Sequence, residues 1–353
     1  MRSFPVASWT VCSTVAEPPE LLCAFAAHYL DLGAEEVHLF LDAPDEETID
    51  ILSAMDGVRL TLCTDEYWRE VGGSRPQGQV MRQLRNANLG YAECRSDWFF
   101  FCDADEFLAV SRDVGALLDG LPGTLPFCRP RMSERVFSEA SPQQGLFDGR
   151  YRRMLLRPAA ERRVYGELAP MVTRGLTGHV AGKSFVRTGQ DLRIRIHFPV
   201  PLSEKEEALR KAGGDLVPGP YLDESWLVHF DGMTPLHWQL KLLRYYLSYA
   251  PQLKAEGRTG FLQRTPARSA QLMALYESSG DPAELARLLR LIRLTPEMVA
   301  ELEQIDGFLD LSLDPTASAR DRAGRNMTFS AANFDAVLRA RHGELIREYG
   351  LLG

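Results

Sequence analysis

From residue 8 to residue 102 the hydrophobic positions change period in a regular way. SWTVCSTV (8–15) is a run of β-branched and apolar side chains, which predicts a buried strand. Pro18 and Pro19 then open a helix, where missing N–H groups do no harm. Leu21, Phe25, Tyr29 and Leu32 recur on one face of that helix, and Gly33 stops it. VHLFL (37–41) predicts a second strand, Asp42-Ala43-Pro44-Asp45 a loop, Glu46 to Met55 a short helix, and VRLTLC (58–63) a third strand. A polar, Gly-rich loop around Gly72-Gly73-Ser74-Arg75-Pro76 leads into a helix over 78–95 and a fourth strand, Trp98 to Cys102. This alternation predicts an α/β fold, a mostly parallel sheet with helices on both faces. Ligands of such sheets sit at the carboxyl ends of strands.

Beyond residue 110 the pattern is more mixed. Arg129 to Phe137 and Tyr151 to Leu156 read as strands joined by a turn-rich SPQQGLFDG, and LRIRIHF (192–198) alternates as a half-exposed strand does. From about residue 235 the period becomes helical, while PTASARDRAGRN (315–326) reads as a polar loop. The predicted division is a domain over 1–234, with halves 1–110 and 111–234, and a helical C-terminal region over 235–353. There is no internal repeat.

A formal net charge of −8 argues against a nucleic-acid binder, which normally carries a basic stripe. The first residues lack the basic and apolar regions of a signal peptide, and no apolar run is long enough to span a bilayer. The six cysteines form no CxxC pair, so they read as buried thiols of a cytoplasmic protein rather than zinc ligands. LARLLRLIRL, within the helical region, has two readings: packing on a core or on a partner, including another copy of the chain, or lying at the periphery of an anionic membrane.

The chemistry concentrates in SDWFFFCDADEFL (96–108), where an apolar strand runs into Asp103, Asp105 and Glu106. Residues i and i+2 of a strand share a face, so Asp103 and Asp105 are expected to point the same way. Paired carboxylates want a shared proton or a cation, and Mg²⁺ or Mn²⁺ is the hard ion that suits oxygen ligands. The competing reading is a set of solvated acids at a strand end, with Glu106 capping the following turn. Haloacid-dehalogenase phosphatases also place DxD after an apolar strand, but at the first strand and with Thr or Val soon after, where this chain has Phe107. A dinucleotide site is unlike this sequence too, because the first strand runs into Ala16-Glu17-Pro18-Pro19 with no glycine-rich turn.

Taken together, AEPPELLCAFAAHYLDLGAEEVHLFLDAPDEET and SDWFFFCDADEFL resemble glycosyltransferases of the GT-A fold, in the family-2-like branch that also resembles glycosyltransferase family 92. The resemblance covers about residues 8–110 and rests on Glu17 after the first strand, the His28-Tyr29-x-x-x-Gly33 phrase, Asp42 and Asp45 after the second strand, and the DxDEF phrase. Looser matches are Lys183-Ser184-Phe185-Val186-Arg187 and the segment from Leu227 to Trp238. It implies a GT-A-type, Rossmann-like sheet flanked by helices. It also implies a metal-dependent transfer, with inversion, from a nucleotide sugar (a UDP-sugar above others) to a hydroxyl of a glycan, polysaccharide or lipid-linked acceptor.

On that reading Asp103 and Asp105 hold Mn²⁺ or Mg²⁺ with a histidine, His197 first and His229 or His179 as alternatives. Thr14, Glu17, Asp42, Arg82 and Asp103 meet the nucleoside, and Lys183 meets the diphosphate. Asp231, Glu134 and Glu167 are the candidates for the base, and the sequence does not choose among them. His28, His38, His237 and His342 read as structural. The competing class is a non-catalytic sugar- or nucleotide-binding module with a role in assembly.

Overall fold

A computed structural model of the chain describes residues 6–202, 219–262 and 266–351. The chain forms two compact units that interleave in sequence. Unit 1 takes Met1–Arg131, Ala181–Leu227 and Asp314–Met327; unit 2 takes Met132–Val180, Val228–Leu313 and Thr328–Gly353. The boundary expected at residue 234 falls inside unit 2.

Unit 1 opens with β1 (Trp9–Val15), α1 (Pro19–Asp31), β2 (Glu36–Leu41), α2 (Glu46–Ser53), β3 (Val58–Leu62), α3 (Asp65–Gly72), α4 (Gln79–Glu93), β4 (Trp98–Phe101), β5 (Glu106–Val110) and α5 (Val114–Asp119). β6 (Phe127–Ser138) then carries the chain into unit 2, where β7 (Arg150–Arg153) and α6 (Pro158–Tyr165) follow. β8 (Phe185–Arg187) belongs to unit 1.

The sheet of unit 1 runs β3-β2-β1-β4-β8-β6. β1 pairs in parallel with both β2 and β4, β2 pairs in parallel with β3, and β8 is antiparallel to β4. The α/β expectation therefore holds: a mixed, mostly parallel sheet with helices packed against it. β4 is inserted next to β1 rather than beyond β3, so the strand order reverses between β1 and β4. Trp98, Phe99, Phe100 and Phe101 are all buried, and the Phe100 ring stacks on Phe185 of β8 at 4.2 Å. α1 covers this layer through Leu21, Phe25 and Tyr29, and ends at Gly33, whose φ of +91° favours glycine.

Three local expectations fail for identifiable reasons. LRIRIHF makes a strand only over Leu192–Arg193; beyond it, the amide side chain of Asn88 bonds both the N–H and the C=O of Ile194, so a helix side chain replaces the ladder. The polar segment 315–326 contains a helix, Thr316–Ala323. Its small buried side chains, Ala319 and Ala323, let it lie close on α1, and Arg322 pairs with Asp31 at 2.8 Å. α3 was not foreseen: Thr64 caps it by accepting the Tyr67 N–H at 3.2 Å.

Within unit 2, the apolar side chains of LARLLRLIRL are buried: Leu285, Leu288, Leu289, Leu291, Ile292 and Leu294 all face the interior. None of that stripe remains to enter a lipid surface, so the membrane reading loses the feature that motivated it. No described helix is long and apolar enough to cross a membrane. All six cysteines are free thiols.

Candidate functional site

DADE is a turn. The Glu106 N–H donates to the Asp103 carbonyl at 3.0 Å, closing four residues between β4 and β5. The expectation that Asp103 and Asp105 share a strand face is thus corrected: they sit on a reversal of the chain, where period-2 geometry does not apply. Glu106 explains the turn's tightness. Its carboxylate is fully buried and accepts the Asp103 N–H at 2.9 Å, while Tyr29 Oη donates to its backbone carbonyl at 2.9 Å. It braces the turn that precedes it rather than capping a later one.

A buried carboxylate needs a counter-charge. Lys183, only 1% exposed, supplies it: Nζ lies 2.7 Å from Asp103 Oδ2 and 3.7 Å from Glu106 Oε2, and 5.2 Å from the Phe101 ring centre. Burial alone would lower the lysine's pKa, but Asp103 and then Glu106 outweigh it and push the ammonium above its ordinary range. The residue expected to meet a diphosphate is instead an internal member of the acidic turn.

α4 ties three strand ends together. Arg82 Nε donates to both carboxylate oxygens of Asp42 at 3.0 and 2.9 Å, at the end of β2. Asn86 donates to Thr14 Oγ1 at 3.1 Å, near the end of β1, and Gln83 donates to Asp103 Oδ1 at 2.9 Å, just past β4. Residues i, i+1 and i+4 of a helix fall on neighbouring faces, which lets one helix reach adjacent strands. Thr14, Asp42, Arg82 and Asp103 therefore gather along one edge, as expected, and Glu17 stands half-buried in the loop that follows β1. Gln83 and Asn86 were missed. Their signal was the Arg82-Gln83-x-x-Asn86 spacing directly before the acidic strand.

The expected cation cage is not assembled. Among the described residues, no three His, Cys, Asp or Glu side chains come together where one metal ion could reach them all. His197 lies beside the Lys183 loop, its Nδ1–H donating to the Gly182 carbonyl at 2.9 Å and its own carbonyl accepting from Ser184 Oγ at 2.8 Å. Both Asp103 oxygens already accept hydrogen bonds, from Lys183 and Gln83. These donors do not fit a ready-made divalent site.

The base candidates belong to unit 2. Glu134 is fully buried and accepts from Arg152 at 2.6 Å, from the Thr177 N–H at 2.9 Å, and from the Gly178 N–H at 2.8 Å. Asp231 accepts from Arg268 at 3.0 Å, Trp238 Nε1 at 2.8 Å and Thr177 Oγ1 at 2.8 Å, with Lys241 at 3.3 Å. Burial would raise both pKa values, but Arg152 holds Glu134 down, and Arg268 and Lys241 hold Asp231 down. A base works best with a pKa near the working pH, so carboxylates saturated by cations are poor ones. Their geometry is that of a structural ion-pair network. Glu167 is exposed on a short 3₁₀ helix, Gly166–Met171.

His229 lies beside the network, Nδ1 3.6 Å from Glu134 and Nε2 3.9 Å from Asp231, with the His179 ring stacked on it at 5.8 Å. Gly178 permits this approach, since a Cβ there would stand 3.0 Å from the His229 ring. His28 and His38 are structural as expected: each bonds a β-strand oxygen, and burial lowers their pKa to about 4 and about 3.

No protein-family model matches the chain, and no curated protein is significantly similar to it.

Proposed function

We propose that unit 1 binds a nucleotide sugar and that the protein is a glycosyltransferase of GT-A type. The observation that carries the reading is the acidic turn after β4, beside β1, at the point where the strand order reverses. In open α/β sheets that crevice is where nucleotides bind. Thr14, Asp42 and Asp103 offer side chains there that match ribose and sugar hydroxyls, and α4 holds these three through Asn86, Arg82 and Gln83. A UDP-sugar is the proposed donor, and a glycan or lipid-linked hydroxyl the proposed acceptor. The resemblance brings Mn²⁺ or Mg²⁺ with it, but among the described residues no His, Cys, Asp or Glu group forms a metal cage, and no step is routed through the ion.

The commitment of Glu134 and Asp231 to cations favours a second reading, a nucleotide-sugar-binding module without turnover. One assay separates the two: release of nucleoside diphosphate from a panel of nucleotide sugars with candidate acceptors. Turnover that disappears in a folded Asp105→Ala variant supports the transferase. Binding without release for every donor supports the module, and no binding of any nucleotide sugar refutes both.

A further inference from the structure

We infer that Arg75 is the residue that receives the diphosphate of a nucleotide ligand at the carboxyl edge of the unit 1 sheet, an inference that rests on the nucleotide reading above.

Among the described residues, Lys183, Arg82 and Arg75 touch the carboxylates of Asp103 or Asp42 along that edge, and their environments differ. Lys183 is buried and committed to Asp103 and Glu106. Arg82 is 15% exposed; its Nε holds Asp42, and its Nη1 donates to the carbonyls of Pro76 and Gln77 at 2.9 and 2.8 Å. Arg75 is 42% exposed, and every hydrogen bond it makes among the described residues comes from one nitrogen. That nitrogen, Nη2, lies 3.0 Å from both the carbonyl oxygen and Oδ1 of Asp42. Nε and Nη1 are left to an incoming group. A guanidinium held at one corner by a carboxylate, with its remaining N–H groups outward, suits the paired oxygens of a phosphate.

The loop that carries Arg75 is fixed at the position this requires. Gly73, with φ of +79°, turns the chain out of α3, and the grip of Arg82 on Pro76 and Gln77 ties the far side of the loop to the end of β2. Asp42 and Asp103 follow strands separated only by β1, a span of about 10 Å at the usual strand spacing. One ligand can therefore touch both. The charges assign its ends. At β2 two guanidiniums face one carboxylate, Asp42. At the turn two carboxylates, Asp103 and Glu106, face one ammonium. The phosphates belong with Arg75 and the hydroxyl-bearing end with Asp103 and Asp105.

The test is isothermal titration of the full chain with UDP, ADP, GDP, uridine and inorganic pyrophosphate, at fixed ionic strength, for the wild type, Arg75→Gln and Arg75→Lys. The exposed loop position leaves the fold intact, which circular dichroism verifies. Arg75→Gln should weaken the preferred nucleoside diphosphate and pyrophosphate by about 10-fold or more, the loss of one charged hydrogen-bonding group. The affinity for uridine should not move, and Arg75→Lys should recover part of the loss. Diphosphate affinity within twofold of wild type in Arg75→Gln overturns the inference and leaves the nucleotide reading intact. An equal loss for uridine also overturns it, because the loop would then be shaping the nucleoside pocket. Arg75-dependent binding of pyrophosphate with no nucleoside diphosphate bound would uphold the anion site and refute the nucleotide reading. If the wild type binds neither, the inference fails.

Discussion

Replacing Lys183 with methionine tests whether the acidic turn is an internally neutralised structure. The substitution keeps the volume and removes the ammonium, which leaves Glu106 fully buried and Asp103, with 32% of its side chain exposed, without their counter-charge. Breaking a buried ion pair from one side typically costs about 3–5 kcal/mol. Partial exposure of Asp103 places the expected loss near the lower end, about 3 kcal/mol. At about 2–4 °C per kcal/mol for a domain of this size, the transition containing unit 1 should fall by roughly 6–12 °C. Scanning calorimetry at pH 7 reads this directly. In the variant the Glu106 carboxylate is buried with no ammonium beside it, so the penalty is that of an unpaired buried charge and disappears when the carboxyl takes up a proton. The deficit should therefore shrink between pH 7 and pH 4.5, and Glu106→Gln added to Lys183→Met should restore more than half of it. A loss below about 1 kcal/mol, under the lower end for a buried pair, would refute the reasoning, as would a deficit that does not change with pH.

Arg152→Met, which strands Glu134 in the interior of unit 2, should cost about 3–5 kcal/mol in chemical denaturation, and a value typical of surface pairs would show that Glu134 is not held by that guanidinium. Because Glu134 has a pKa lowered to about 2 from an ordinary 4.5, its stabilisation is present above pH 4.5 and is lost as pH falls toward 2. Acid unfolding followed by circular dichroism should accordingly be flatter over that window in Glu134→Gln than in the wild type. With the LARLLRLIRL leucines packed inside, the protein should not co-float with anionic vesicles through that segment, and flotation that is abolished by Leu288→Asp in a folded variant would contradict this. Asn86→Ala, which removes the bond to Thr14, should weaken nucleotide binding by several-fold if the strand-end tie positions the pocket, and equal affinities in titration would remove that role.

The resemblance and the periodicity pointed to the same stretch of chain, but the protein partners of its charged residues were not legible there. Asp103 was expected beside a metal and lies beside Lys183; Lys183 was expected at a phosphate and lies in the core. A residue's type limits what it can bind, and the neighbours that claim it come from distant segments: Asp103 and Lys183 are 80 positions apart. Asp231 and Glu134 looked like available bases because a sequence displays a carboxylate without displaying the guanidinium that holds it.

What the sequence alone determined was the alternation of β1 to β4 with their helices, the burial of Trp98 to Phe101, and the placing of the acids at a strand end. These follow from short-range periodicity, which local sterics and burial enforce residue by residue. Only the tertiary structure decided that β4 lies against β1, that α4 laces three strand ends together, and that Glu106 and Lys183 close the turn from within. Those outcomes depend on which buried charges meet across long loops. Desolvation makes each unpaired charge expensive, and the fold that pairs them is a property of the whole chain rather than of any window of it.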